Sequence, residues 1–255
     1  MLAKVFVQRD PATGEFINKN VYNAWYGFTR LGVWAESFVW SDLAEGKLAL
    51  ERDAAVIGGI GTVRAALAQL GAPEPANIDY PEPLAPFLRR RVCRSTIREA
   101  HALCRDDRFD PPVFIKPVTG HKEFTGHVLA VYRDLLRTAG WAHEEPDTAV
   151  WLSEVVEFVA EWRYFVHARE VVGVGHYHGD PLRTPDPTVV RAAAAAWTAA
   201  PVAYTLDFGV LADGSTALVE VNDGFSFGCY GLNPYVHARM LAARWLEMSC
   251  SQGAP

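Results

Sequence analysis

Residues 207–222 read DFGVLADGSTALVEVN, and this stretch decides the fold. Apolar residues on either side of Asp213 and Gly214 predict two antiparallel strands, TLDFGVL and TALVEVN, joined by a tight turn. Side chains alternate across a strand, so Glu220 and Asn222 share one face, and the hairpin brings Asp207 toward them. Three oxygen-bearing side chains on one surface suit a hard cation such as Mg²⁺, which keeps waters and leaves room for phosphate oxygens. A solvated edge hairpin is the plainer alternative, and the rest of the chain has to discriminate between the two.

The 255 residues, half of them hydrophobic, suffice for one large domain or a few small ones. A net charge of −6, with only the short basic run Arg89, Arg90, Arg91 and Arg94, argues against a nucleic-acid partner. Four cysteines (Cys93, Cys104, Cys229, Cys250) show no CxxC spacing. The opening MLAKVFVQRD lacks an apolar leader core, and no apolar run approaches the roughly 18 residues of a membrane span. A reduced, cytoplasmic protein without a membrane partner is the expectation.

Outward from the hairpin, the chain divides at the proline-rich link PEPANIDYPEPLAPF. Before it, AKVFVQ predicts a strand, VYNAWYGFTRLGVWAESFVW is an irregular aromatic stretch, and DAAVIGGIGTVRAALAQLG predicts a strand, a glycine turn and an amphipathic helix. Arg64 occupies the third glycine position of a dinucleotide fingerprint, so the turn reads as structural. After the link come strand, loop and strand in PPVFIKPVTGHKEFTGHVLAVY, then three strands in VWLSEVVEFVAEWRYFVHAREVVGVGHYHGD with breaks at Ala160 and at Arg169–Glu170. The helix RAAAAAWTAA, the hairpin and the closing helix YGLNPYVHARMLAARWLEMS follow. Strands and helices mix without regular βαβ alternation, which predicts an α+β fold over residues 85–255 and a short α/β unit over 1–84.

Three further pieces carry chemistry. Lys116 lies within the apolar strand FIKP, where a lysine needs a partner or a route to solvent. Lys122 sits between Gly120 and Gly126 in VTGHKEFTGH, a composition fit for cradling phosphate as well as for a plain loop. In SEVVEFVAEWRYFV, the backbone of Glu154, Val155 and Val156 can bond a flat heterocycle, Glu157 or Glu161 can accept from ribose hydroxyls, and Arg163 shares a strand face with Glu161. Salt bridging between strands is the structural alternative. His176 and His178 lack a third ligand at suitable spacing, and Cys229 has no neighbouring base.

Taken in order, these pieces resemble the ATP-grasp superfamily over roughly residues 85–235. The stretches IDYPEPL, FIKPVTGHKEFTG, EWRYFV and VEVNDGFSFGCYGL are similar to a clade of small bacterial and phage ATP-grasp proteins. The resemblance implies an ATP-grasp fold of two α+β subdomains clasping ATP. It implies nucleotide contacts from Lys116, Lys122, Glu154, Val155, Val156, Glu161 and Arg163, with Lys122 on a covering loop and Lys122 and Arg163 serving catalysis. It implies Mg²⁺ or Mn²⁺ held by Asp207, Glu220 and Asn222. A lysine expected on the strand before FIKP has no counterpart, and Arg91 or Arg94 would replace it.

The implied activity is ATP-dependent ligation of a small-molecule or peptide carboxylate to an amine through an acylphosphate. A phosphotransferase, or a non-catalytic nucleotide- or peptide-binding protein of the same fold, is the alternative. The N-terminal unit, with aromatic Trp25, Tyr26 and Trp34, would help form the acceptor surface.

Overall fold

The computed structural model describes residues 2–118, 124–140 and 145–250. The chain opens with three strands, β1 (Lys4–Gln8), β2 (Trp34–Phe38) and β3 (Ala54–Ile57), in a parallel sheet of order β2-β1-β3. Parallel neighbours need crossovers, supplied here by helices α1 (Lys19–Arg30) and α2 (Trp40–Ala44), while α3 (Ile60–Gln69) follows β3 and leads out of the sheet. The centre of β1 and all of β3 are buried apolar residues, as expected of strands covered on both faces.

The aromatic stretch read as irregular is in fact α1 and β2. Asn18 caps α1 by accepting from the backbone N–H groups of Asn20 and Val21, and Val21, Ala24 and Phe28 form the buried stripe. Tyr22 and Tyr26 fall on the outer face, and these exposed aromatics hide the period in the sequence.

Two antiparallel four-stranded sheets follow. The first is β4 (Val92–Thr96), β5 (Arg108–Pro117), β6 (His127–Val131) and β7 (Ala149–Glu154), ordered β4-β7-β5-β6, with α4 (Ile97–Ala102) packed beside it. The second is β8 (Phe158–His167), β9 (Glu170–Gly179), β10 (Ala203–Leu211) and β11 (Thr216–Asp223), ordered β11-β10-β8-β9. Helix α5 (Pro187–Ala196) buries Val190, Ala193 and Ala194 against Tyr204, Leu206 and Phe208 of the second sheet. The expected break at Ala160 does not occur: Ala160 is fully buried within β8, opposite Gly179 and Val210, where only a small side chain is needed to continue the strand. The chain breaks instead at residues 155–157, where it leaves one four-stranded sheet and enters the other.

The predicted hairpin is present. β10 and β11 pair antiparallel with Asp207 opposite Glu220, and Gly214 takes the left-handed conformation (φ +85°) that the turn requires. The closing helix α6 (Pro234–Cys250) crosses back to the beginning of the chain: Ala238, Met240, Leu241 and Trp245 share one core with β1, β3, α1 and α3. The helices approach so closely that a Cβ on Gly27 of α1 would lie 2.0 Å from the carbonyl oxygen of Pro234. No helix among the described residues is long and apolar enough to cross a membrane.

His237 sits in the α1–α6 seam. Its Nδ1 lies 3.1 Å from Asn23 Nδ2, and its ring packs on Phe227. Burial lowers its pKa from 6.5 to about 4. Between those values the unfolded chain binds a proton that the folded protein refuses, so stability present above pH 6.5 is lost as the pH falls toward 4. The full effect is about 3 kcal/mol. Urea denaturation at several pH values should show this loss in the parent protein and a flatter profile in His237→Leu; parallel profiles would exclude the assignment.

Candidate functional site

The two four-stranded sheets face each other across a cleft, and the predicted hairpin forms part of its wall. β11 sets Glu220 and Asn222 on one face, two residues apart, and Asn222 Nδ2 donates to Glu220 Oε1 (3.1 Å) and to Asp207 Oδ2 (3.2 Å). The structure therefore brings Asp207, Glu220 and Asn222 together.

Asp207, 2% exposed, is held by Arg163 of β8 in a bidentate fork: Nε to Oδ1 at 2.7 Å and Nη2 to Oδ2 at 2.6 Å. Burial pushes the Asp207 carboxyl up to about 6 even with the guanidinium bound to it. Burial opposes the charge on Arg163, and Asp207 outweighs it, so Arg163 stays charged. Over the Arg163 guanidinium lies the ring of Tyr230, 5.1 Å away, which also stacks on Tyr177. Tyr230 reaches this position because β9 has glycine at 175; a Cβ there would lie 2.4 Å from the Tyr230 carbonyl oxygen. Tyr177 donates to Glu161 Oε2 (2.7 Å), and burial together with Asp207 and Glu161 raises its pKa and keeps that hydroxyl protonated.

From the opposite sheet, Lys116 of β5 crosses the cleft. Its Nζ donates to Glu220 Oε2 (3.0 Å) and to Asp79 Oδ1 (2.7 Å) and lies 4.6 Å from the centre of the Tyr80 ring. Burial alone would lower the lysine pKa, but Glu220, Tyr80 and Asp79 reverse this and raise it. The same contact lowers the Glu220 pKa against the upward pull of its own burial. Sequence reasoning missed Asp79. It lies in the link between the N-terminal unit and the first antiparallel sheet, accepts from Trp151 Nε1 (3.0 Å) and pairs through its backbone with Val221.

The arginine run also resolves. Arg91 donates to Glu154 and stays 85% exposed, and Arg94 lies exposed over Trp151. Arg90 is the member that lines the cleft, donating to Ser153 Oγ and to the carbonyls of Leu88, Leu218 and Val219. Strand alternation does not single out Arg90, because β4 begins only at Val92.

Two cavities meet at Lys116 and Glu220. One, of about 300 Å³, is lined by Tyr80, Phe114, Val155, Val156, Phe158 and Glu161 along with Arg90. The other, of about 470 Å³, lies toward Asn77, Thr125, Asn222 and Ser226. Gly126 passes over Phe114 at a point where a Cβ would lie 2.7 Å from the ring. Lys122 lies outside the described residues. His176 packs edge-on against Trp162, and Cys229 is buried. No group of three or more His, Cys, Asp or Glu is placed to hold a metal among the described residues.

The Asp207, Glu220 and Asn222 set still fits a hard divalent cation chemically. Asp79, Glu161, Asp207 and Glu220 are four carboxylates against the three cations Arg90, Lys116 and Arg163; Asn222 faces Asp207 and Glu220 with its Nδ2 and would turn its amide oxygen toward a bound cation. Glu220 and Asn222 are the accessible members, whereas Asp207 is engaged by Arg163.

No curated protein sequence matches the chain. Among solved structures, the D-cycloserine synthetase DcsG superposes with a TM-score of 0.59 at 17% identity, covering 94% of this chain and 99% of that one. The ATP-grasp ligase PsnB, complexed with a minimal precursor, gives 0.55 at 14% identity with 96% and 100% covered. A D-alanine–D-alanine ligase from Bacillus anthracis complexed with ATP gives 0.54 at 15% identity with 99% and 100% covered. These likenesses concern the fold. The sequence itself matches a family described as an ATP-grasp domain, family 2 of its clade, over residues 87–240, well over half of the chain, and so the protein belongs to that family of ATP-grasp proteins.

Proposed function

We propose that the protein is an ATP-dependent ligase that joins a carboxylate to an amine. The observation carrying this reading is that Lys116 and Glu220 line both cavities at once, with Asn222 and the Arg163–Asp207 fork beside them. A nucleotide in the smaller cavity would meet an acceptor in the larger one at these charges. The solved ATP-grasp neighbours include ligases and one ATP complex, which supports the assignment.

In this reading the base lies along the backbone of Glu154, Val155 and Val156 and against the apolar walls of Phe114 and Phe158. Glu161 accepts from ribose through Oε1, since Tyr177 engages its other oxygen. Lys116 moves from Glu220 to phosphate while Asp79 keeps hold of it. Arg163, fixed by Asp207, offers its positive charge from a rigid floor. Lys122, on sequence grounds, covers the phosphates. Glu220 and Asn222, with Asp207 as third member, would hold Mg²⁺, which when bound neutralises phosphate charge.

The substrate carboxylate oxygen attacks the γ-phosphorus as its bond to the bridging oxygen breaks and ADP leaves. The amine then adds to the acyl carbon, phosphate departs, and the amine proton leaves with it. Because each step needs orientation and charge neutralisation more than a side-chain nucleophile, the buried ion pairs are suited to it. The division near residue 84 follows the same proposal, with the N-terminal unit closing the acceptor side.

ATP should raise the melting temperature only when Mg²⁺ or Mn²⁺ is present, by an amount equivalent to about 3 kcal/mol near saturation. Equal stabilisation in EDTA would remove the cation from the assignment.

Glu220→Gln should fold, since Lys116 retains Asp79, and should cost about 1 kcal/mol of stability. ADP release in the presence of pooled carboxylates and amines should fall by roughly a hundredfold or more. A variant that melts normally and turns over at the parental rate would sink the ligase reading of this site.

A further inference from the structure

A separate cavity of about 250 Å³ lies between α1, the β3–α3 turn and α6. Val21, Ala24, Ile57, Phe227 and Leu241 make its walls apolar, and no Asp, Glu, Lys or Arg lines it. One side is His237, 1% exposed. Asn23 Nδ2 also donates to the Leu232 carbonyl oxygen (3.3 Å), which fixes the amide orientation, so the His237 Nδ1 beside it accepts. The proton of this neutral ring therefore resides on Nε2, on the ring edge away from Asn23. Among the described residues that N–H has no acceptor. Unpaired within the protein and lining the cavity, that N–H is available to a ligand that enters it.

The opposite side is the start of α3. Its N-cap is Gly59, whose own N–H is taken by Gln8 Oε1 (3.2 Å). No side chain caps the ten-residue helix, so its first N–H groups and positive dipole end remain open where Gly58, Gly59 and Ile60 line the cavity. Ser226 already donates to the Gly58 carbonyl oxygen (3.0 Å), and Asn20 already accepts from the Cys229 N–H (3.0 Å). His237 Nε2–H and the first N–H groups of α3 are thus unused donors beside an apolar wall, in a space the size of a small organic molecule.

We propose that this cavity binds the carboxylate of a small apolar monocarboxylic acid, with His237 Nε2–H and the N-terminus of α3 as donors. A phosphate dianion would find no cation here, and an ammonium would find no carboxylate. Ile60, Phe225 and Ser226 line both this cavity and the 470 Å³ one, so the two spaces adjoin. The carboxylate site does not rest on the ligase reading.

Calorimetric titration of the nucleotide-free chain with propanoate, propanamide and propylammonium tests the site. Propanoate should bind at least about tenfold more tightly than the other two. His237→Leu and Gly59→Val should each weaken propanoate by about tenfold or more while leaving Mg-ATP binding within about twofold. Valine at 59 enters open space at a backbone φ of −66°, so it obstructs the cavity without straining the turn. Should His237→Leu fail to fold, Gly59→Val decides alone. Equal binding of acid and amide, absence of propanoate binding, or binding that survives obstruction overturns the inference. Failure of Mg-ATP to bind the parent protein would instead overturn the ligase reading and leave the propanoate result standing.

Discussion

Lys116 is the charge on which the cleft depends. It rises from one sheet, meets Glu220 of the other, and is held by Asp79 from the connecting link. A lysine this deep is tolerable only because two carboxylates compensate its lost hydration. The lysine in turn offsets the charge of both carboxylates, and Asp79 is further fixed by Trp151 and by its backbone pairing with Val221. Moving any of the three therefore moves a strand, a link and a second strand together.

The Arg163–Asp207 fork behaves differently. Both partners stand on neighbouring central strands, β8 and β10, in direct register, and both are buried. Its geometry follows from the sheet and cannot adjust without breaking it. Glu220 and Asn222, on the edge strand β11, are partly exposed and hydrogen-bond to each other across the rim. The site thus pairs a fixed positive floor with an adjustable rim, an arrangement suited to a ligand that arrives in parts.

Much of this was legible in the sequence because it is local. The hairpin was written in alternation and in the Asp213–Gly214 turn, and the Glu220–Asn222 pairing in a two-residue spacing. The α+β class followed from the order of elements. What escaped was long-range or masked by exposed aromatics. Nothing near Asp79 announces a lysine 37 positions away, and the helix α1 hid behind Tyr22 and Tyr26 on its outer face. The strand break fell at 155–157 and not at Ala160, because a small buried residue can continue a strand whose neighbours crowd it.

The crossing of α6 back onto α1 has a consequence for how the chain is made. Met240, Leu241 and Trp245 complete the core of the first parallel sheet, yet they leave the ribosome only after both antiparallel sheets have been synthesised. Until then Val21, Ala24 and Phe28 have one face uncovered. This unit is translated before the two antiparallel sheets and completed after them, so its apolar seam stays open to chaperones, or to the wrong neighbour, while they are made.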